Sequence, residues 1–391
     1  MNYDFDEVIE RDDTNSVKWN FREKLFGSDD VLPMWVADMD FRAPRPVIDA
    51  LVKRAAHGIF GYSEGTEEYF DAIAGWMLQR HGWEIDREWL VFTPGIVPAL
   101  NWLLAAITRP GDKVVLQSPV YPPFFGAITN NGCELVDNPL KFEDGEYRMD
   151  FADLEPKLAG GVKALLLCSP HNPVGRVWRE PELVRLGELC LQYGVTVISD
   201  EIHSDLVYPG YKHRVFGTLP QELARNCVVC TAPSKTFNLA GLQVSNLLIP
   251  NPDLRKALKG VLARNSVHHP NSFGIVAMQA AYRHGAGWLD QLMLYLQGNL
   301  DFLTGFKAEK IPRVRVVRPE GTYLVWLDLR ELGMNSKELK SFLLKQAKLA
   351  LNDGAAFGPG GEGFARMNIA CPRSTLAEGL QRLERAVSSM K

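Results

Sequence analysis

The sequence predicts an α/β fold: a mostly parallel central sheet in a large domain, with a smaller α+β domain following it. Three observations predict it. Short apolar runs alternate with amphipathic stretches through the middle of the chain, the pattern of strands covered by helices on both faces. Beyond Gly287 that order gives way to strands and helices grouped differently. The length, 391 residues, also exceeds what one compact core usually reaches.

The elements follow in order. Residues 96–107 are apolar enough for a buried helix after the turn Thr93-Pro94-Gly95, and 113–117 read as a strand opened by Pro110-Gly111-Asp112. Residues 163–168 and 195–199 are β-rich runs on either side of a helical stretch at 180–192. Strands at 227–231 and 244–249 follow, then helical spacing at 272–283 and 289–304, the latter long enough to connect domains. Past it, 314–317, 322–327 and 365–369 read as strands, with helices at 337–349 and 375–387. The expected division is 1–45 as a segment packing on the small domain, 46–287 as the large domain and 288–391 as the small one.

Composition narrows the functional classes. With 46% hydrophobic and 23% charged residues and a net charge of -4, the chain is that of an ordinary globular protein. It has no Lys/Arg block, which argues against nucleic acid as a partner. No apolar run approaches the ~18 residues of a membrane span. The acidic start, Met1 to Glu10, has no apolar leader region, so a cytoplasmic location is expected. Six cysteines are sparse for this length, and four lie in apolar runs, as core thiols rather than a disulfide framework.

The chemistry lies where polar residues stand at strand ends, since ligands of open α/β sheets bind beyond the carboxyl ends of the strands. The first strand leads to Tyr121, the second to Ser169-Pro170-His171-Asn172-Pro173, and the third ends in Asp200-Glu201. The run 227–231 leads to Ser234-Lys235, and 365–369 contains Arg366. Taken singly, each has a plain structural reading. Lys235 could be a solvated loop lysine, Asp200 a cap, Asn172 and Gly95 turn residues. A lysine amine becomes a nucleophile toward carbonyls only if burial or a neighbouring cation lowers its pKa. An unpaired carboxylate at the end of an apolar strand is costly unless it keeps a partner such as a heterocyclic nitrogen charged. The amides of Gly95, Ile96 and Val97 at a helix start form a natural phosphate site.

Together and in this order, Asn172-Pro173-Val174-Gly175, Asp200-Glu201-Ile202-His203, Ser234-Lys235 with Gly241 behind it, and Arg366 resemble the class I/II aminotransferase family of pyridoxal 5'-phosphate (PLP) enzymes. The resemblance runs from about Pro33 to Ala386. The runs Met34 to Phe41, Asp200 to Leu206 and Ala232 to Asn238 are similar, more narrowly, to the MalY/PatB group of cystathionine β-lyases, or C–S lyases. The resemblance implies the fold of a fold-type I PLP-dependent transferase, with Lys235 as the amine that carries the cofactor. Asp200 would pair with the pyridine nitrogen, Asn172 would reach the ring hydroxyl, and Tyr121 would stack on the ring. Gly95, Ile96, Val97 and Ser234 would hold the phosphate, with Tyr62 arriving from the second subunit of a homodimer. Arg366 would fork onto the substrate carboxylate, and Ala37 would line the pocket wall with Val36 and Tyr121. The substrate it implies is a sulfur amino acid, cystathionine or a related cysteine S-conjugate, cleaved to a thiol, pyruvate and ammonia.

Two departures matter. His203 stands where the family's aminotransferases have tyrosine, and Gln243, eight residues after Lys235, where they have arginine. The first removes a hydrogen bond to the ring oxygen and the second a phosphate cation, and both favour elimination over amino transfer. An aminotransferase on the same scaffold stays open as a second reading, and a regulatory protein acting through a partner as a third. Gly358 to Gly363 match G-x-G-x-x-G, but without a preceding strand–helix context they read as a glycine loop leading to the Arg366 strand. Cys227-x-x-Cys230 lacks a second ligand pair, His268-His269 lack nearby carboxylates, and His81 reads as the polar end of a helix, so no metal is expected.

Overall fold

The computed structural model describes residues 2–390. Seven strands build the central sheet: β1 (Leu90–Thr93), β2 (Lys113–Leu116), β3 (Glu134–Asp137), β4 (Val162–Cys168), β5 (Thr196–Asp200), β6 (Cys227–Thr231) and β7 (Ser245–Leu248). Their spatial order is β1-β7-β6-β5-β4-β2-β3. Neighbours from β6 through β3 are parallel, and β7 runs antiparallel to both β6 and β1. The central strands are apolar on both faces because both are covered. From β4, Leu165 and Leu167 join one core with Val197 and Val229; Ala164, Leu166 and Cys168 join the other with Ile198, Cys230 and Leu100.

Four further strands form an antiparallel sheet: β8 (Arg315–Val317), β9 (Leu324–Asp328), β10 (Asn352–Asp353) and β11 (Phe364–Asn368), in the order β8-β9-β11-β10. A 25-residue helix, Ala286–Lys310, precedes it. The N-terminal segment reaches this region: Leu32–Pro33 pairs in parallel with Leu349–Ala350, and the Asp40 amide donates to the Ala370 carbonyl at 2.9 Å.

The strand and helix expectations stand close to these bounds, with one clear correction. The helix expected over 337–349 runs only from Ser336 to Lys345. Lys348 adopts a left-handed φ of 51°, which turns the chain out of the helix and lets buried Leu349 and Ala350 pair as a strand. All six cysteines are buried and free, Cys227 and Cys230 lie within β6, and His268 and His269 lie in a loop. Among the described residues, no helix is long and apolar enough to cross a membrane, and no cluster of three or more metal-ligating side chains exists.

Candidate active site

Parallel register brings the strand ends level: Cys168 of β4 lies opposite Asp200 of β5, and Asp200 opposite Cys230 of β6. Asp200 is therefore a carboxylate buried beside two thiols, which are weak hydrogen-bonding groups. Among the described residues its carboxylate accepts a single hydrogen bond, from the Ile202 amide at 3.3 Å. Burial pushes its pKa up to about 7, against the pull of that amide and of the Lys235 charge.

Lys235 stands on the short helix Pro233–Thr236 just beyond β6. Its Nζ donates to the Ala37 carbonyl at 2.7 Å. Burial, then the positive charge of Arg366, lower its pKa to about 8, while Asp38 and Asp200 oppose the shift. The residue as a whole is half-buried.

Arg366 arrives from the other sheet, in the middle of β11. Nη1 donates to Asn172 Oδ1 at 2.8 Å; Nη2 donates to Asn352 Oδ1 at 2.6 Å and the Trp35 carbonyl at 3.0 Å. The guanidinium lies 5.0 Å over the Phe357 ring. Its Nε is buried without a partner, and it forms no ion pair with any described carboxylate. Burial of this uncompensated cation lowers its pKa to about 10, although Tyr121 and Tyr323 favour the charge.

Asn172 is fixed by the tight loop after β4. Its amide donates to Cys168 Sγ at 3.3 Å, and the Gly175 amide closes back on the His171 carbonyl at 2.7 Å. Gly175 has φ +76°, and a Cβ there would stand 2.6 Å from Pro319 Cβ and 2.8 Å from Pro319 Cα. Neither the conformation nor the space admits a side chain. Gly175→Ala is expected to destabilise the protein by roughly 2–4 kcal/mol, read as a lower urea midpoint at unchanged m-value.

Gly95 precedes the helix Ile96–Ile107, whose first amides have no intrahelical acceptor and carry the positive end of the helix dipole. Tyr121 lies within electrostatic reach of both Asp200 and Arg366. His203 is buried with Nδ1 unpartnered, and its ring lies 6.1 Å from that of Tyr323. Burial and the charges of Lys235 and Arg366 drive its pKa down and keep it neutral. The structure thus brings together Lys235, Asp200, Asn172, Arg366, Tyr121, His203 and the Ala37 carbonyl. Tyr62 is fully exposed in the loop between two helices, and a single chain does not bring it to this group. Gln243 closes a short 3₁₀ turn with φ 48°.

Three participants escape the sequence motifs. Tyr323 is fully buried and donates to the Ala37 carbonyl at 3.0 Å; Asn352 is the register partner of Arg366; Asn368 donates to the carbonyls of Val36 and Asp38 at 2.7 and 2.6 Å. A polar residue in or next to an apolar run after the long helix was the one available signal, for Asn368 and Tyr323. Asn352 sits in a strand of only two residues, too short to read. His81 is more than the end of a helix: its Nε2 meets the buried Asp205 at 2.9 Å, and Asp205 also accepts from Thr236, next to Lys235, at 2.7 Å.

A lysine and a carboxylate at the strand ends of a mostly parallel sheet, met by a guanidinium from the second sheet, match the architecture of fold-type I PLP proteins. The chain belongs to the class I and II aminotransferase family, whose sequence profile matches residues 30–383. It is 47% identical to cystathionine beta-lyase PatB of Bacillus subtilis over 98% of this chain and 100% of that protein. The crystal structure of cystalysin from Treponema denticola, which contains PLP, superposes with a TM-score of 0.97 at 39% identity, covering 100% of both chains. The PLP-bound C–S lyase of Staphylococcus hominis superposes at 0.91 with 35% identity, over 99% of this chain and 98% of that one.

Proposed function

We propose that this chain is a PLP-dependent carbon–sulfur β-lyase, cleaving cystathionine or related cysteine S-conjugates to a thiol, pyruvate and ammonia. One observation carries the reading: the site encloses charged groups whose complements the chain itself does not provide. Arg366 is a buried cation without a carboxylate, and Asp200 a buried acid without a close cation. An amino-acid carboxylate and a protonated pyridine nitrogen are the two missing partners, so the residues fit PLP with an amino-acid substrate. The similarity to a cystathionine β-lyase and to C–S lyases supports elimination as the reaction.

In this reading PLP, held at Lys235, supplies an electron sink next to the substrate Cα. Asp200 would keep the pyridine nitrogen protonated, and Asn172 would hydrogen-bond the ring oxygen. The amides of Gly95, Ile96 and Val97, with Ser234, hold the phosphate. The free Nε–H of Arg366 fixes the substrate carboxylate while Asn172 and Asn352 keep the guanidinium plane from turning. Lys235, with its pKa near 8, takes the Cα proton onto Nζ at close to neutral pH. The Cβ–S bond then breaks, the sulfur leaves with the bonding pair, and water converts the released 2-aminoacrylate to pyruvate and ammonia. Tyr121, Tyr323 and Phe357 wall the site and limit water. The exposed Tyr62 belongs, in this reading, to the phosphate site of a second copy in a cytoplasmic homodimer.

The test is pyruvate and thiol release from cystathionine with no keto acid present. Turnover that needs a keto-acid acceptor rejects the lyase in favour of the aminotransferase.

A further inference from the structure

The segment Trp35 to Asp40 belongs to no helix or ladder, yet every carbonyl from Trp35 to Met39 accepts from a side chain. Trp35 is held by Arg366, Ala37 by Lys235 and Tyr323, Val36 and Asp38 by Asn368, and Met39 by Asn238 at 2.9 Å. Its outer side is pinned by charges from the first twenty residues. Lys18, only 1% exposed, places Nζ 2.6 Å from Asp40 Oδ2 and 3.7 Å from Asp38 Oδ1. Arg11 bridges the same two acids, Nη1 to Asp40 at 2.7 Å and Nη2 to Asp38 at 3.0 Å, and Trp19 Nε1 donates to Asp40 at 3.0 Å. Burying Lys18 against Asp40, with the half-buried Arg11 and Asp38 beside them, is not a cheap way to stabilise a fold, since apolar residues of the same volume often serve as well. What the arrangement does supply is a fixed position for backbone that touches both Arg366 and Lys235.

We propose that Lys18, Arg11 and Asp40 are positioning residues, holding the 35–40 segment so that its Trp35 carbonyl sets the orientation of Arg366 for the substrate carboxylate. The inference rests on the lyase reading for the identity of the substrate. The Ala37 carbonyl that Lys235 meets keeps a second anchor in Tyr323, whereas among the described residues the Trp35 carbonyl meets Arg366 alone, so a loosened segment acts more on binding than on proton transfer.

The test uses the holoenzyme carrying Lys18→Met with Asp40→Asn, a neutral pair of similar size, and separately Arg11→Gln at a partly exposed position. Two readouts are taken: hydrogen exchange of the 35–40 amides, and KM and kcat for cystathionine. The neutral pair is expected to speed exchange at 35–40 at least tenfold while β4 is unchanged. It should raise KM about tenfold or more, with kcat within threefold and the cofactor chromophore retained. Arg11→Gln follows in the same direction with about threefold changes, and it decides the matter should the double variant not fold. Unchanged exchange and KM in a folded variant overturn the proposal, as does a fall in kcat that matches the rise in KM. Wild-type protein that takes up no cofactor sinks the lyase reading instead, and the exchange data then judge the hold on the 35–40 segment by itself.

Discussion

Lys235→Ala is expected to lower pyruvate release by about a thousandfold or more, within the 10²–10⁴ span that a positioned general base contributes. In the proposed reading the amine would have a double task, carrying the cofactor and accepting the Cα proton, so alanine would remove both. The protein should lose its visible chromophore on dialysis while the fold survives. Survival is expected because Lys235 Nζ makes one hydrogen bond, to Ala37, and the Ala37 carbonyl keeps a second donor in Tyr323. Removing a partly buried cation whose neighbours include Arg366 also relieves repulsion. A thermal midpoint equal to or above that of the wild-type apoprotein, with elimination gone, is the signature. Elimination persisting within tenfold of wild type would remove Lys235 from the proton transfer.

The seven-stranded sheet was legible because its physics is local. A strand covered on both faces must be apolar throughout, so β4, β5 and β6 stand out as runs, and a reactive residue directly after each run is conspicuous. Asp200, Asn172 and Lys235 could be found that way. The edge strand β3 could not: its residues Glu134 and Leu135 are exposed, and nothing in Glu134–Asp137 demands burial. β1 was missed for a related reason, since only alternate residues of Leu90–Thr93 are fully buried. The supports of the site are harder still, because they depend on long-range register. Asn352 matters only because it lies opposite Arg366, and the Trp35–Asp40 segment only because side chains 198 to 332 residues away close on its carbonyls. Tyr62 is legible only through the family resemblance, since its ring is fully exposed on a single chain.

Asp200→Asn separates catalysis from stability with opposite signs. In the apoprotein, burial raises the Asp200 pKa to about 7, above the ordinary carboxylate value that applies in the unfolded chain. Between about pH 4 and pH 7 the folded protein therefore holds a proton that the unfolded chain has given up, and stability falls as pH rises through that window. Above it the cost stays, on the order of a few kcal/mol. Asparagine does not titrate, so apo Asp200→Asn should gain stability relative to wild type from pH 4 to pH 7 and level off beyond. Urea midpoints at several pH values measure this, and a difference that does not vary with pH would show that Asp200 ionises normally. In the holoenzyme the sign reverses. In the proposed reading a cationic pyridine nitrogen would compensate the carboxylate and hold it ionised, whereas the neutral amide would not keep that nitrogen protonated. Activity should drop about 10²–10³-fold, the scale for losing one preorganised charge at a reacting centre. The residue that costs the empty protein stability is, on this argument, the one that makes the loaded site work.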